Sequence, residues 1–253
     1  MTQSRNTTRQ LTARSVLAST LLGADPPELP AAHLVRMAGL FGINGNRARV
    51  ALSRMVASGE ATTDGVGRYR LAGHLVDRRR RQAASRSGRT RRWTGRWHLV
   101  VVTTACSTAE VRNRRRAALA FARLAELREG VWLRPDNLDL MLPDDVGPDL
   151  TVFTGQPPEA DDRLLAARLW DLHGWATRAR ALLDDLDRLP PTDRTDLAPG
   201  FELSAAVLRH FQADPLLPAD LLPADWPGNG LRGAYDSWDR RYREVLGAWG
   251  RDR

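Results

Sequence analysis

The 253-residue chain has no lysine; all 38 of its Lys/Arg positions are arginine. That absence excludes a Schiff-base lysine, a pyridoxal anchor and the lysine of a phosphate-binding P-loop. It reads as the codon bias of a GC-rich genome. One cysteine, Cys106, excludes an intrachain disulfide and a multi-cysteine metal site, and fits a reducing cytoplasm. No apolar run approaches the ~18 residues of a membrane-spanning helix, so no membrane partner is expected. The first ten residues, MTQSRNTTRQ, lack the apolar core of a secretory signal and read as a flexible tail. The five histidines, His33, His74, His98, His173 and His210, show no metal-ligand spacing, and H-E-x-x-H and G-x-S-x-G are missing. Asp144-Asp145, Asp161-Asp162 and Asp184-Asp185 are paired acids, but adjacent residues on a helix do not face one site. Neither a metal nor a cofactor is expected.

What is present is charge, unevenly placed. Residues 1–116 hold 22 of the 38 arginines and only 6 of the 30 acids, so a basic front half precedes an acidic rear half. This asymmetry suggests a polyanion-binding module joined to something else. The chain is organised around residues 40–71, LFGINGNRARVALSRMVASGEATTDGVGRYRL. Ala48, Ala51, Leu52 and Met55 recur at helical spacing and make one apolar stripe. Asn44 suits the N-cap and Gly59 the residue beyond the C-cap. Opposite the stripe lie Asn46, Val50, Ser53 and Ala57, flanked by Arg47, Arg49 and Arg54, with no acid among them. An Asp64-Gly65-Val66-Gly67 turn then predicts a small hairpin with a basic return strand, Arg68–Leu71. A basic-faced helix followed by a basic hairpin fits a winged helix-turn-helix better than a merely solvated surface helix.

Around that stretch, Ala13–Leu22 and a segment opened by Pro30 in its first turn are predicted helices. A helix from His74 to Ala84 leads into an arginine run, Arg78–Arg81, Arg86, Arg89, Arg91 and Arg92. That run reads as a solvated connector, as an arm on the DNA backbone, or as both. Trp97–Thr104 is a predicted buried strand, Ala109–Glu129 a helix, Val131–Leu133 a second strand, and Leu138–Leu142 and Leu150–Thr154 two further strands. This order suggests a small ferredoxin-like domain. Its cluster Arg112, Arg114, Arg115 and Arg116 is most simply a solvated face, although arginines also hold phosphates. A connector, Gln156–Ala160, precedes a helical region from Arg163 that breaks at Pro190-Pro191. Phe201–Ala213 is another helix. The repeated Leu-Leu-Pro-Ala-Asp of 214–229 demands a proline-braced turn. A final helix, Leu231–Trp249, carries Tyr235, Trp238, Tyr242 and Trp249, an aromatic stripe that is usually core and otherwise a dimer seam. The expected division is 1–76, winged helix-turn-helix; 77–92, Arg-rich linker; 93–160, ferredoxin-like; and 161–253, helical. The fold class is α+β, mainly α.

Three segments resemble the PaaX family of bacterial transcriptional repressors: FGINGNRARVALSRMVASG, RRWTGRWHLVVV with Trp93, Gly95 and Trp97 as markers, and DPLLPADLLPADWPGNGLR. Their order and spacing match over most of the chain, and the third is the most specific. Val50 departs from the pattern, standing where a polar residue is expected. The resemblance implies a homodimer on a palindromic double-stranded DNA operator, released when an aryl-CoA or acyl-CoA thioester binds. Trp132, Trp170, Trp175 and Trp226 are the candidate walls for the acyl group, and Tyr235, Trp238, Tyr242 and Trp249 the candidate dimer seam.

On DNA, Asn46, Arg49, Val50 and Ser53 are the candidate base readers, with Asn44, Arg47 and Arg54 beside them. Arg68, Tyr69, Arg70 and Arg80 are candidates for the backbone, which positions but carries no sequence information. Two other functions are weighed against a regulator. The central domain also looks like the small nucleases of CRISPR adaptation modules, but a metal-dependent phosphodiesterase needs a carboxylate on the first strand, and Trp97–Ser107 has none. A constitutive architectural DNA binder would leave the aromatic-rich rear half without a task. The expectation is therefore a non-enzymatic, effector-responsive DNA-binding repressor.

Overall fold

In a computed structural model, the described residues are 11–104, 108–142, 147–156 and 161–251. The N-terminal tail, Cys106, Asp144-Asp145 and most of the Gln156–Ala160 connector lie outside them. In chain order the elements are α1 (Ala13–Gly23), β1 (Glu28–Pro30), α2 (Ala31–Gly39), α3 (Gly45–Ala57), β2 (Ala61–Thr63), β3 (Arg68–Leu71) and α4 (His74–Ser87). There follow β4 (Trp97–Val102), α5 (Ala109–Phe121), β5 (Ala125–Arg128), β6 (Val131–Pro135) and β7 (Leu150–Gly155). The remainder is helical: α6 (Asp162–Leu169), α7 (Leu172–Arg188), α8 (Leu197–Gln212) and α9 (Gly228–Arg251). Contacts gather these into two compact units, one of residues 1–86, 182–212 and 233–253, the other of 87–181 and 213–232. Each unit thus draws on more than one of the segments expected from sequence.

The first unit begins with three helices and a three-stranded antiparallel sheet of order β1-β3-β2, the element and sheet order of a winged helix. Local chemistry sets the helix starts. The Thr12 hydroxyl accepts the Ser15 N–H at 3.1 Å, and the Asn44 side-chain Oδ1 accepts the Arg47 N–H at 2.9 Å. Gly59, at φ +72°, takes the left-handed turn out of α3 at little steric cost. Leu17, Leu21, Leu34, Ala38, Ala48, Leu52 and Met55 form a core with Leu71 and Leu75. Two details correct the sequence reading. Pro30 is the N-cap of α2 rather than a first-turn residue. The Pro-rich stop before it contains β1, which pairs with β3 through Glu28 opposite Arg70 and Pro30 opposite Arg68. A three-residue edge strand ending in proline has too little pattern to be read from sequence.

The C-terminal helices of this unit carry the aromatic ladder. Tyr235 stacks on Trp238 at 6.3 Å and Trp238 on Tyr242 at 5.1 Å, with interplanar angles of 18° and 10°. All three are buried. Trp238 donates its indole N–H to Leu189 O, and Tyr242 its hydroxyl to Leu197 O. Burial pushes the Tyr235 hydroxyl up to about 12. Trp249 lies under the Arg36 guanidinium at 4.7 Å and edge-on to His33. As the seam of a dimer Tyr235, Trp238 and Tyr242 are therefore a correction: their rings are spent inside their own unit, where a buried aromatic contributes most, whereas Trp249 is half-buried.

In the second unit the sheet order is β5-β6-β4-β7, all neighbours antiparallel, which is the ferredoxin-like order. The expected helix to Glu129 ends instead at Phe121. Arg123, at φ +62°, turns the chain, and Leu124 and Ala125 pass into the hydrophobic core and β5. Apolar residues at 118, 121, 122, 124 and 125 satisfy helix and strand patterns alike, so period could not place the break. No strand forms over Leu138–Leu142. The helix expected from Arg163 is two helices, parted at Trp170-Asp171, where the Asp171 carboxylate accepts the Gly174 N–H at 2.8 Å. The proline-braced turn is compact. Buried Asp214 accepts the Leu216 N–H and Arg232, each at 2.8 Å. Asn137 ties it to β6 by donating to Leu216 O and accepting from Arg134. Arg134 is 1% exposed, and burial lowers its pKa to about 9.

Candidate nucleic-acid interface

The outward face of α3 follows from its inward one. With Ala48, Leu52 and Met55 at zero exposure or close to it, the positions between them must face solvent. Asn44, Asn46, Arg47, Arg49, Val50, Ser53 and Arg54 are all exposed. Among the described residues no carboxylate pairs with Arg47, Arg49 or Arg54. Val50 is 45% exposed, a β-branched apolar spot among donors and acceptors. The Ser53 hydroxyl donates back to Arg49 O at 3.2 Å, leaving its lone pairs outward. The Arg49 guanidinium lies over Gly45, where an added Cβ would meet it at 3.2 Å.

The wing is built differently. The Asp64 carboxylate accepts the Val66 and Arg68 N–H groups at 2.9 and 3.0 Å, and Gly65 and Gly67 take positive φ to close the turn. Val66 stands 88% exposed at its tip. Behind the tip, Glu28 of β1 holds both arginines of β3: Arg68 Nε lies 2.6 Å from one carboxylate oxygen, and Arg70 Nε 2.7 Å from the other. These bonds hold the Glu28 carboxyl below the usual carboxylate range. Sequence reasoning missed Glu28. Its rarity was the available signal, since it is one of six acids in the first 116 residues. Tyr69 is half-buried against the core and alternates with the exposed Arg68 and Arg70 along the strand.

The arginine run beyond the wing is mostly helix, continuous to Ser87, and several of its charges are used within the unit. Arg79 donates to Ala24 O and Asp25, and Arg86 to Asp236 and Asp239 at 2.7 and 2.8 Å. Arg80 is exposed, 3.5 Å from Asp77. A solvated connector is therefore a correction for this part of the chain.

The four tryptophans expected to wall an acyl group do not line one site: Trp175 and Trp226 stack on each other, and Trp132 sits in a separate cluster. Trp132 is buried with Val100 and Leu119. Trp170 stacks on Trp97 at 6.3 Å, and Trp175 on Trp226 at 4.5 Å. Their large apolar surfaces fill the core of the second unit instead. Among the described residues no group of three His, Cys, Asp or Glu side chains is placed to hold a metal, and no helix is long and apolar enough to cross a membrane. On β4 no carboxylate appears.

Three helices with a β1-β3-β2 sheet and a basic, acid-free α3 face in one unit, and a ferredoxin-like sheet in the other, are the features that comparison with known proteins assigns to a class. Three family models divide this chain between them: the PaaX-like protein model over residues 12–75, the PaaX protein central Cas2-like domain over 90–163, and the PaaX-like protein C-terminal domain over 170–248. The chain belongs to the PaaX-like family and is a PaaX-like regulator. Among solved structures it is similar to the uncharacterized protein Rv0674 from Mycobacterium tuberculosis, at 43% identity and a TM-score of 0.75, over 94% of this chain and 98% of that one. No curated protein matches it.

Proposed function

We propose that the protein is a transcriptional repressor that reads the major groove with α3, acts as a homodimer on a palindromic operator, and is released by a CoA thioester. One observation carries the DNA-binding part: an acid-free outer face on a helix whose inner face is fully buried. Such a helix presents Asn46, Arg49, Val50 and Ser53 rigidly, as base readout requires. Two-fold symmetry would double the contacts on a palindrome. The CoA thioester is taken from the family resemblance.

The test is fluorescence anisotropy with fragments of the protein's own upstream region and scrambled duplexes, repeated over a salt series, with light scattering for the assembly. Specific binding at least ~10³-fold tighter than to scrambled DNA is expected, falling steeply with salt. Equal affinity for both duplexes removes the regulator reading. A panel of aryl- and acyl-CoA thioesters is then added. Clearing a site from 99% to 1% occupied needs roughly 5.5 kcal/mol of preference for the DNA-free state. No displacement by any thioester removes the effector but leaves the DNA reading.

A further inference from the structure

The first unit contains an open groove of about 2230 Å³, lined by α1, α4, α8 and α9. Most of its charges are already paired. Arg14 bonds Glu60 at 2.7 Å, Arg68 bonds Glu28, Arg79 bonds Asp25, and Arg86 and Arg243 share Asp239. Arg78 of α4 and Arg209 of α8 differ. Both line the groove, and among the described residues neither has a carboxylate or carbonyl partner. Partial burial, then the charges of Arg14, Arg81 and Arg209, hold the Arg78 guanidinium below its ordinary pKa. Two cations on one groove wall without a carboxylate between them leave their repulsion uncompensated until an anion joins them.

We propose that Arg78 and Arg209 form a phosphate site, the anchoring end of a pocket for a small organic phosphate. Two guanidiniums present planar, forked donors that match phosphate oxygens, and they stay charged at any physiological pH. From Arg209 the groove wall runs along α8 through Leu208 and Ala205 to Phe201, an apolar strip suited to the uncharged body of such a ligand. The groove exceeds the ~300–1,000 Å³ of an ordinary small-molecule site, so an extended ligand fits. The ligand would bridge α8 to α4, the helix that directly follows β3 of the wing. This proposal locates the effector of the preceding section and rests on that reading only for its regulatory consequence. Phosphate recognition stands apart from it.

The experiment uses the full chain and inorganic pyrophosphate as probe. Calorimetric titration is run on the wild type, Arg209→Gln, Arg78→Gln, and Arg188→Gln as a charge-matched surface control, with DNA affinity measured in parallel. The wild type and Arg188→Gln are expected to bind pyrophosphate alike, and the two groove variants at least ten-fold more weakly, with unchanged thermal midpoints; Arg209→Gln, which lies outside the arginine run beyond the wing, should also keep its DNA affinity in the absence of pyrophosphate. Both groove arginines are exposed, so either variant suffices if the other folds poorly. Equal pyrophosphate affinity in all four proteins, or none in the wild type, overturns the site. Loss of DNA affinity in Arg209→Gln without pyrophosphate also overturns it, because the phosphate then belongs to DNA. Groove-dependent pyrophosphate binding by a protein that binds no DNA upholds the site and sinks the regulator reading instead.

Discussion

Helix α3 and strand β3 of the first unit carry the same residue type in opposite electrostatic states. Arg47, Arg49 and Arg54 project from α3 with no carboxylate partner among the described residues, whereas Arg68 and Arg70 on β3 share one carboxylate, Glu28. A count of arginines rates the two regions equal. Their partners make one a surface with three unspent charges and the other a surface of two cations on one anion. Availability, set by a three-residue strand that positions Glu28, separates a contact that can add binding energy from one that must first break a bond.

The largest expected effect would break both regions together. Leu52 is fully buried on the inner face of α3, and Leu52→Ala should cost about 2–5 kcal/mol of stability through the cavity it leaves. Urea denaturation would measure it. DNA binding should fall for helix and wing alike, in proportion to the unfolded fraction. A variant that keeps its stability would mean that α3 is not held by the core seen here.

Arg49→Ala comes next and sharpens the difference. If α3 reads bases, this change should cost about 1–3 kcal/mol on the operator and little on scrambled duplex, with no change in thermal midpoint. Equal losses on both duplexes would make Arg49 a backbone contact and the orientation of α3 wrong.

Much of this contrast was open to sequence reasoning, and part was closed to it. The stripe of Ala48, Leu52 and Met55 was legible because helical period and capping by Asn44 agreed. The proline-braced turn of 214–229 was legible because proline restricts the backbone by itself. β5 was hidden, since its residues continue the apolar period of α5 until Arg123 turns the chain. The Glu28 clamp was hidden because Glu28 and Arg70 are 42 positions apart and meet only through strand register. The same holds for the aromatics. Tyr235, Trp238 and Tyr242 were visible as a stripe, but only packing decides whether a stripe faces its own chain or another copy.

A smaller effect is expected from Glu28→Gln, which would erase the comparison by freeing both wing arginines. Non-specific DNA affinity should rise several-fold and the salt slope steepen by up to about two, since each freed cation can meet a phosphate. The pair also sets a pH dependence with a defined sign. The folded-state pKa of Glu28 is depressed, so its stabilisation is present above the ordinary carboxylate range and is lost as pH falls through the lowered value. The stability difference between wild type and Glu28→Gln should therefore vanish in acid. A DNA affinity that Glu28→Gln leaves unchanged would mean that the wing does not approach the backbone.

Arg70→Ala should have the smallest effect, and it decides how the clamp behaves on DNA. An unpaired arginine that meets one phosphate contributes about one to the salt slope. Arg70 starts from two short contacts to Glu28 at 2.6 and 2.7 Å, and its side chain is 68% exposed, so the pair is solvent-screened and can open. If it stays closed on DNA, Arg70 meets no phosphate directly and the clamp acts only through its net charge of about +1 at a distance, so Arg70→Ala should change affinity by no more than a few-fold and the slope by well under one. Removing Arg70 also leaves Arg68 as the sole partner of Glu28, which binds that arginine more firmly and takes the clamp from a net positive charge to neutral. If the clamp opens instead, Arg70→Ala should lower the slope by a full unit on operator and scrambled duplex alike. Measuring Arg70→Ala in the Glu28→Gln background separates these cases. A closed clamp predicts a loss near one slope unit only in that background, whereas an open clamp predicts the same loss in both.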